Sequence, residues 1–89
     1  MEEKFIAAWE RSRAEAEKIG ARMRPLDVKG AKRILSGSRT SDGFNLLAQK
    51  GRLDLSLEAL AVDKRFTGLF TDEEANNALM RLLEAGYYL

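Results

Sequence analysis

Arg52-Leu53-Asp54-Leu55-Ser56-Leu57 is the stretch that decides the fold class. Its polar and apolar residues alternate with period two, as in a strand that buries one face. The same residues also carry a helix start. Leu55 precedes Ser56, a good capping residue, and Leu60 follows four places after the cap, which is the spacing of a hydrophobic staple. A strand needs a partner, and the only candidate is the short Tyr87-Tyr88-Leu89 tail. The helical reading is preferred, and the chain is predicted to be all-α.

Two further segments repeat the staple. Leu26, Asp27 and Ala31 form one set; Phe70, Thr71 and Ala75 form another, in which Glu74 also completes a capping box. These starts predict a second helix from Val28 to about Ser36, a fourth over Leu57 to Lys64 and a fifth over Asp72 to Ala85. The inward stripe of the fifth is expected to be Ala75, Ala78, Leu79, Leu82 and Leu83. Gly86 would supply its left-handed stop, with Tyr87 folding back on Leu82. A third helix is expected from Asp42 to Lys50, capped by Thr40 or Ser41 and ended by Gly51.

The first helix is read from a stripe of Phe5, Trp9, Ser12, Ala16, Ile19 and Met23 at alternating steps of four and three. It would run from Glu2 to about Met23 and stop before Pro25. Such a helix is about 33 Å long, against a radius of gyration of about 11 Å for the rest of the chain. It is therefore expected to overhang or to bend near Gly20. The whole would be a compact orthogonal array of about five helices in a single domain over residues 1–89, with a long N-terminal helix.

Composition narrows the function. The chain has 89 residues, 45% hydrophobic and 33% charged, which suits a folded, well-solvated domain. It contains no cysteine and no histidine, so disulfides, thiolate metal sites and imidazole general bases are unavailable to it. No metal and no cofactor are expected. No apolar run reaches the length of a membrane span, and Glu2 and Glu3 do not resemble the basic start of a signal peptide. The expectation is a cytoplasmic protein that does not engage a membrane. The dense carboxylates are Asp54 with Glu58, and Asp72, Glu73 and Glu74. The last three fall in a first helical turn, where they favour the helix dipole. Five short helices leave little room for a sheltered catalytic cleft, so an enzyme is not expected.

Charge is unevenly distributed. The net charge is +1, yet residues 22–39 carry +5 and the rest −4. Lys29, Lys32 and Arg33 share a helical face, and Arg39 follows in a Ser- and Gly-rich turn. A helix-turn-helix contact with nucleic acid would use these four cations for phosphate and would aim Asn45 and Gln49 at base edges. Against it, aligning Gly37 with the turn glycine of such units puts Arg33 where a small residue packs. Asp42 would also repel a phosphate. The Gly37–Gly43 stretch lacks the lysine of a phosphate-binding loop. The leading expectation is a non-catalytic interaction module that binds a protein partner or a second copy of itself. Its surface would be the first-helix stripe, Phe5 and Trp9, with the C-terminal end, Tyr87, Tyr88 and Leu89.

Overall fold

In the computed structural model, residues 1–37 and 40–87 are described. Among them are five α-helices, two 3-10 turns and no strand: α1 (Glu2–Lys18), α2 (Val28–Ser36), α3 (Asp42–Gln49), a 3-10 turn (Leu53–Leu55), α4 (Leu57–Ala61), a second 3-10 turn (Lys64–Phe66) and α5 (Asp72–Glu84). The predicted caps set four of the helix starts. The Asp27 carboxylate accepts from the Gly30 amide at 2.7 Å, and the hydroxyls of Ser41, Ser56 and Thr71 accept from Phe44, Ala59 and Glu74, each at 3.1 Å. At α5 the box is complete, because the Thr71 amide donates to Glu74 Oε1 at 2.8 Å. Each cap satisfies an orphan backbone donor and is worth about 1 kcal/mol.

The strand-like alternation at 53–57 has a helical explanation. Leu53 and Leu55 lie in the first 3-10 turn, Ser56 is extended as the cap of α4 (ψ 158°), and Leu57 opens that helix. All three leucines are buried although the backbone never pairs as a strand.

Two helices are shorter than their sequence patterns suggest. The first ends at Lys18, not near Met23, because Gly20 (φ 86°) turns the chain left-handed there. The amides of Gly20 and Ala21 then bond back to the Glu17 and Ala16 carbonyls, the reciprocal pattern of a glycine-stopped helix. Of the two alternatives expected for this helix, overhang or a bend near Gly20, the chain takes the turn at Gly20: the seventeen helical residues span about 26 Å, and Phe5, Trp9 and Ala16 along them are buried. The fourth helix stops at Ala61, and Asp63 restarts the chain as a 3-10 turn by accepting from the Arg65 amide. At the C-terminal end, Gly86 (φ 79°) stops α5 as expected, with the Gly86 and Tyr87 amides bonded to the Leu83 and Leu82 carbonyls.

α4 packs against α5 and α1, α2 packs against α5 and α1, and α3 packs against the first 3-10 turn. One core cluster gathers Phe5, Trp9, Leu35, Leu57, Phe66 and Phe70; Phe5 meets Phe66 and Phe70 edge-to-face, both at 5.5 Å. A second joins Ala16, Phe44, Leu47, Leu53, Leu55 and Leu82. The radius of gyration is 11.8 Å.

Candidate functional site

α5 is turned further than its apolar pattern suggests. Ala78 and Leu82 face the core as expected, but Glu74 and Arg81 are buried beside them. Leu79 and Leu83, expected to point inward, are 37% and 49% exposed, and Met80 between them is 53% exposed. The cause lies at the C-terminus of α2, whose last carbonyls lack helical partners. Arg81 donates to the Ile34 carbonyl (3.3 Å) and to the Gly37 carbonyl, and Asn77 Nδ2 donates to the Leu35 carbonyl (3.0 Å). Glu74 accepts from Lys32 Nζ (3.1 Å) and Ser36 Oγ (3.3 Å). Residues 74, 77 and 81 share one helical face, so satisfying α2 fixes the rotation of α5 and leaves the leucines outside.

Arg81 also forms an ion pair with Glu58 of α4 at 3.1 Å, and Glu58 is only 1% exposed. Burial pushes the Glu58 carboxyl above the ordinary range; its own backbone amide and Arg81 pull it back without cancelling the rise. Glu74 goes the other way. Burial opposes its charge, but the Thr71 amide, Lys32 and the Thr71 hydroxyl together outweigh burial and hold it below the ordinary value. Both carboxylates are committed to holding helices together. Among the described residues no buried side-chain nitrogen or oxygen lacks a partner.

A cleft of about 380 Å³ opens between α2 and α3. The buried residues Trp9, Leu57 and Glu58 form its floor, Ile34 and Leu26 one wall, and Phe44 and Leu47 the other. The exposed residues Arg22, Arg24 and Asp42 stand at its mouth. Ser41 and Ser56 also line it, but both hydroxyls serve as helix caps.

No protein family matches this chain, no curated protein is similar to it, and no solved structure resembles it. The reading of the site therefore rests on its own chemistry. Among the described residues no helix is long and apolar enough to cross a membrane, and no cluster of acidic residues is arranged to hold a metal ion.

The expected interface residues divide. Phe5 and Trp9 are 0% and 3% exposed, so the first-helix stripe forms core rather than a patch. The indole of Trp9 donates to the Arg24 carbonyl at 2.9 Å, which ties α1 to the segment before α2. Arg13 reinforces this by donating to the Met23 carbonyl at 2.9 Å. Tyr87 is 38% exposed. Tyr88 and Leu89 lie outside the described residues.

The nucleic-acid candidates divide too. Lys29 and Arg33 are exposed on α2, but Lys32 leans away to Glu74, with its ammonium 5.7 Å from the Phe70 ring. Asn45 and Gln49 share the exposed face of α3, as expected, together with Asp42. The Asn45 side-chain oxygen accepts from Thr40 Oγ1 at 2.9 Å. Arg39 lies outside the described residues. Among the described residues α2 and α3 flank the cleft instead of packing closely on each other, as the two helices of a DNA-reading unit would.

What the sequence pattern missed is the outer face of α5 and the cleft. A signal for the first was present: Glu74, Asn77 and Arg81 form a polar stripe beside the apolar one, and either could turn inward.

Proposed function

We propose that this chain is a non-catalytic interaction domain that engages a protein partner through the outer face of α5. The observation that carries the reading is the exposure of Leu79, Met80 and Leu83 on one helix whose opposite face is polar, buried and fully bonded. Scattered exposed leucines are ordinary, but adjoining ones on a single face mark contact surfaces. Burial of Glu74 and Arg81, with the half-buried Asn77 bonded to the Leu35 carbonyl, locks the helix, so the apolar face cannot relieve its exposure by rotating inward. Such a fixed surface binds without paying for rearrangement. The first-helix stripe, which the sequence favoured for this role, is occupied by the core.

The test compares three baits in extracts of the source cells: the native chain, Met80→Glu/Leu83→Glu and Lys29→Glu/Arg33→Glu. The expected result is a protein retained by the native chain and by the α2 variant but lost from the α5 variant, with circular dichroism unchanged. The same proteins bound by all three would overturn the reading. A duplex DNA retained by the native chain and lost only from the α2 variant would replace it with nucleic-acid binding.

A further inference from the structure

The two surfaces described above, the outer face of α5 and the cleft between α2 and α3, are opposite in shape and in charge. The outer face of α5 is convex. Leu79, Met80 and Leu83 stand on it between Asp72 and Glu73 at one end and Glu84 at the other, and all six are exposed. The one cation of α5, Arg81, is buried on the far side. The cleft is concave and largely apolar below its mouth. Among the described residues its exposed mouth carries Arg22 and Arg24 against Asp42, and its internal carboxylate, Glu58, is already paired with Arg81. Lys29 and Arg33 extend the positive charge along the outside of the α2 wall.

Resting on the assignment of α5 as the contact face, we infer that its partner is the α2–α3 cleft of a second copy of this chain. In that arrangement Leu79, Met80 and Leu83 of one molecule enter the cleft of the next. Asp72, Glu73 and Glu84 then meet the arginines at its mouth. This is helix-in-groove recognition, with anchors three and four residues apart. Two observations favour it over a symmetric α5–α5 pair. Symmetric pairing would set two acidic faces against each other, where like charges oppose association. It would also leave the apolar cleft uncovered. A head-to-tail contact fills the concave surface with the convex one and pairs opposite charges.

A contact of this type is heterologous, so it does not close on itself at the dimer; each added molecule presents a new cleft and a new helix. The patch is small against the roughly 800 Å² per partner of a stable interface. Association is therefore weak and grows steadily with concentration. It also weakens as salt screens the mouth charges.

The experiment uses complementary blocks. Met80→Glu/Leu83→Glu removes the inserting face and leaves the cleft. Gly43 lines the cleft on its α3 side, so Gly43→Glu blocks the cleft and leaves α5; a Cβ there meets nothing closer than Met23 Cγ at 3.7 Å. Arg22→Glu/Arg24→Glu is a second cleft variant, made only at exposed side chains. In sedimentation velocity from micromolar to millimolar concentration, the native chain should form progressively larger species and each variant alone should stay monomeric. An equimolar mixture of an α5 variant with a cleft variant should stop at a one-to-one heterodimer, identified by native mass spectrometry. A native chain that is monomeric throughout overturns the inference, while the bait comparison above still decides whether α5 binds some other protein. A native chain that associates although the blocked mixture forms no heterodimer also overturns it, in favour of symmetric pairing.

Discussion

The two faces of α5 obey opposite rules. The inner face carries Glu74, Asn77 and Arg81 into the body of the protein, where each finds partners on α2 or α4. The outer face leaves Leu79, Met80 and Leu83 in water. A helix placed only by hydrophobic burial would be rotated the other way. The difference teaches that unsatisfied carbonyls at one helix end can outweigh part of an apolar stripe on another. A buried carbonyl without a donor costs about 1–3 kcal/mol, comparable to burying a leucine at about 1.5–3 kcal/mol. α5 supplies donors to the carbonyls of Ile34, Leu35 and Gly37, the first of which also accepts from the Gly37 amide, and still buries Ala78 and Leu82.

The harshest way to break the inner face is Arg81→Met. It removes the donor to the Ile34 carbonyl of α2 and to that of Gly37 just beyond it, and strands Glu58 as a buried, unpaired carboxylate. Loss of one member of a buried pair costs about 3–5 kcal/mol, a large part of the total stability of a domain this small. Urea denaturation should show the loss. Adding Glu58→Leu to the same chain should recover part of it, because no buried charge then remains. The part not recovered measures how much Arg81 contributes by holding the end of α2. Full recovery would assign its role to the ion pair alone and would undercut the account of why α5 is rotated.

Thr71→Ala comes next. Thr71 accepts from the Glu74 amide, and its own amide helps to seat the Glu74 carboxylate that reaches Lys32 and Ser36. The expected cost is about 1 kcal/mol, seen as a fall in Tm of roughly 4–8 °C for a domain of this length. Loss of the cap leaves the outer face as exposed as before, so association through Met80 and Leu83 should persist below the new Tm.

Much of this fold is legible in the sequence because its helix starts are chemical and local. Asp27, Ser41, Ser56 and Thr71 each sit three residues before the amide they bond. No knowledge of the rest of the chain is needed to see them. The end of α1 was harder. The stripe runs on through Ile19 to Met23, and both are partly buried. Ile19 packs as the C-cap of α1 and Met23 as a loop residue after Gly20 has turned the chain, and period alone does not distinguish these from helix. The rotation of α5 was only half legible: the polar stripe of Glu74, Asn77 and Arg81 is visible beside the apolar one, but which of them turns inward depends on where α2 ends in space, 42 residues away in sequence for both the Asn77–Leu35 and the Lys32–Glu74 contacts. The burial of Trp9 has the same origin. An apolar stripe tells that a face is covered, not whether the cover is the chain's own α4 or another molecule.

The buried carboxylates sharpen the comparison through pH, because they titrate in opposite directions. Glu58 has its folded pKa raised, chiefly by burial. The native state therefore holds that proton more tightly than the unfolded chain does. The group's contribution is fully present at acid pH and falls as pH rises from the ordinary glutamate value to the raised one. Glu74 has its folded pKa lowered despite burial, through Thr71 and Lys32. Its contribution is present above the ordinary value and is lost as pH falls through the lowered one. Glu58→Gln and Glu74→Gln separate the two. The stability advantage of the native chain over Glu58→Gln should shrink as pH rises above the ordinary glutamate value. Its advantage over Glu74→Gln should grow as pH rises through the acid range. Denaturant midpoints measured at several pH values give both slopes, and slopes of the same sign would contradict the described environments.

The smallest effect on stability is expected where the effect on binding is largest. Leu82 and Leu83 are neighbours in sequence, but Leu82 is 0% exposed and Leu83 is 49% exposed. Leu82→Ala opens a cavity in the second core cluster and should cost about 2–5 kcal/mol. Leu83→Ala removes a side chain that already lies half in water and should change stability by no more than about 0.5 kcal/mol. The same exposed truncation should measurably weaken association. That asymmetry is the sign of a surface that contributes to a contact rather than to the fold. If Leu83→Ala destabilised the isolated monomer as strongly as Leu82→Ala, Leu83 would be packed within its own chain. The outer face of α5 would then have nothing to offer a partner.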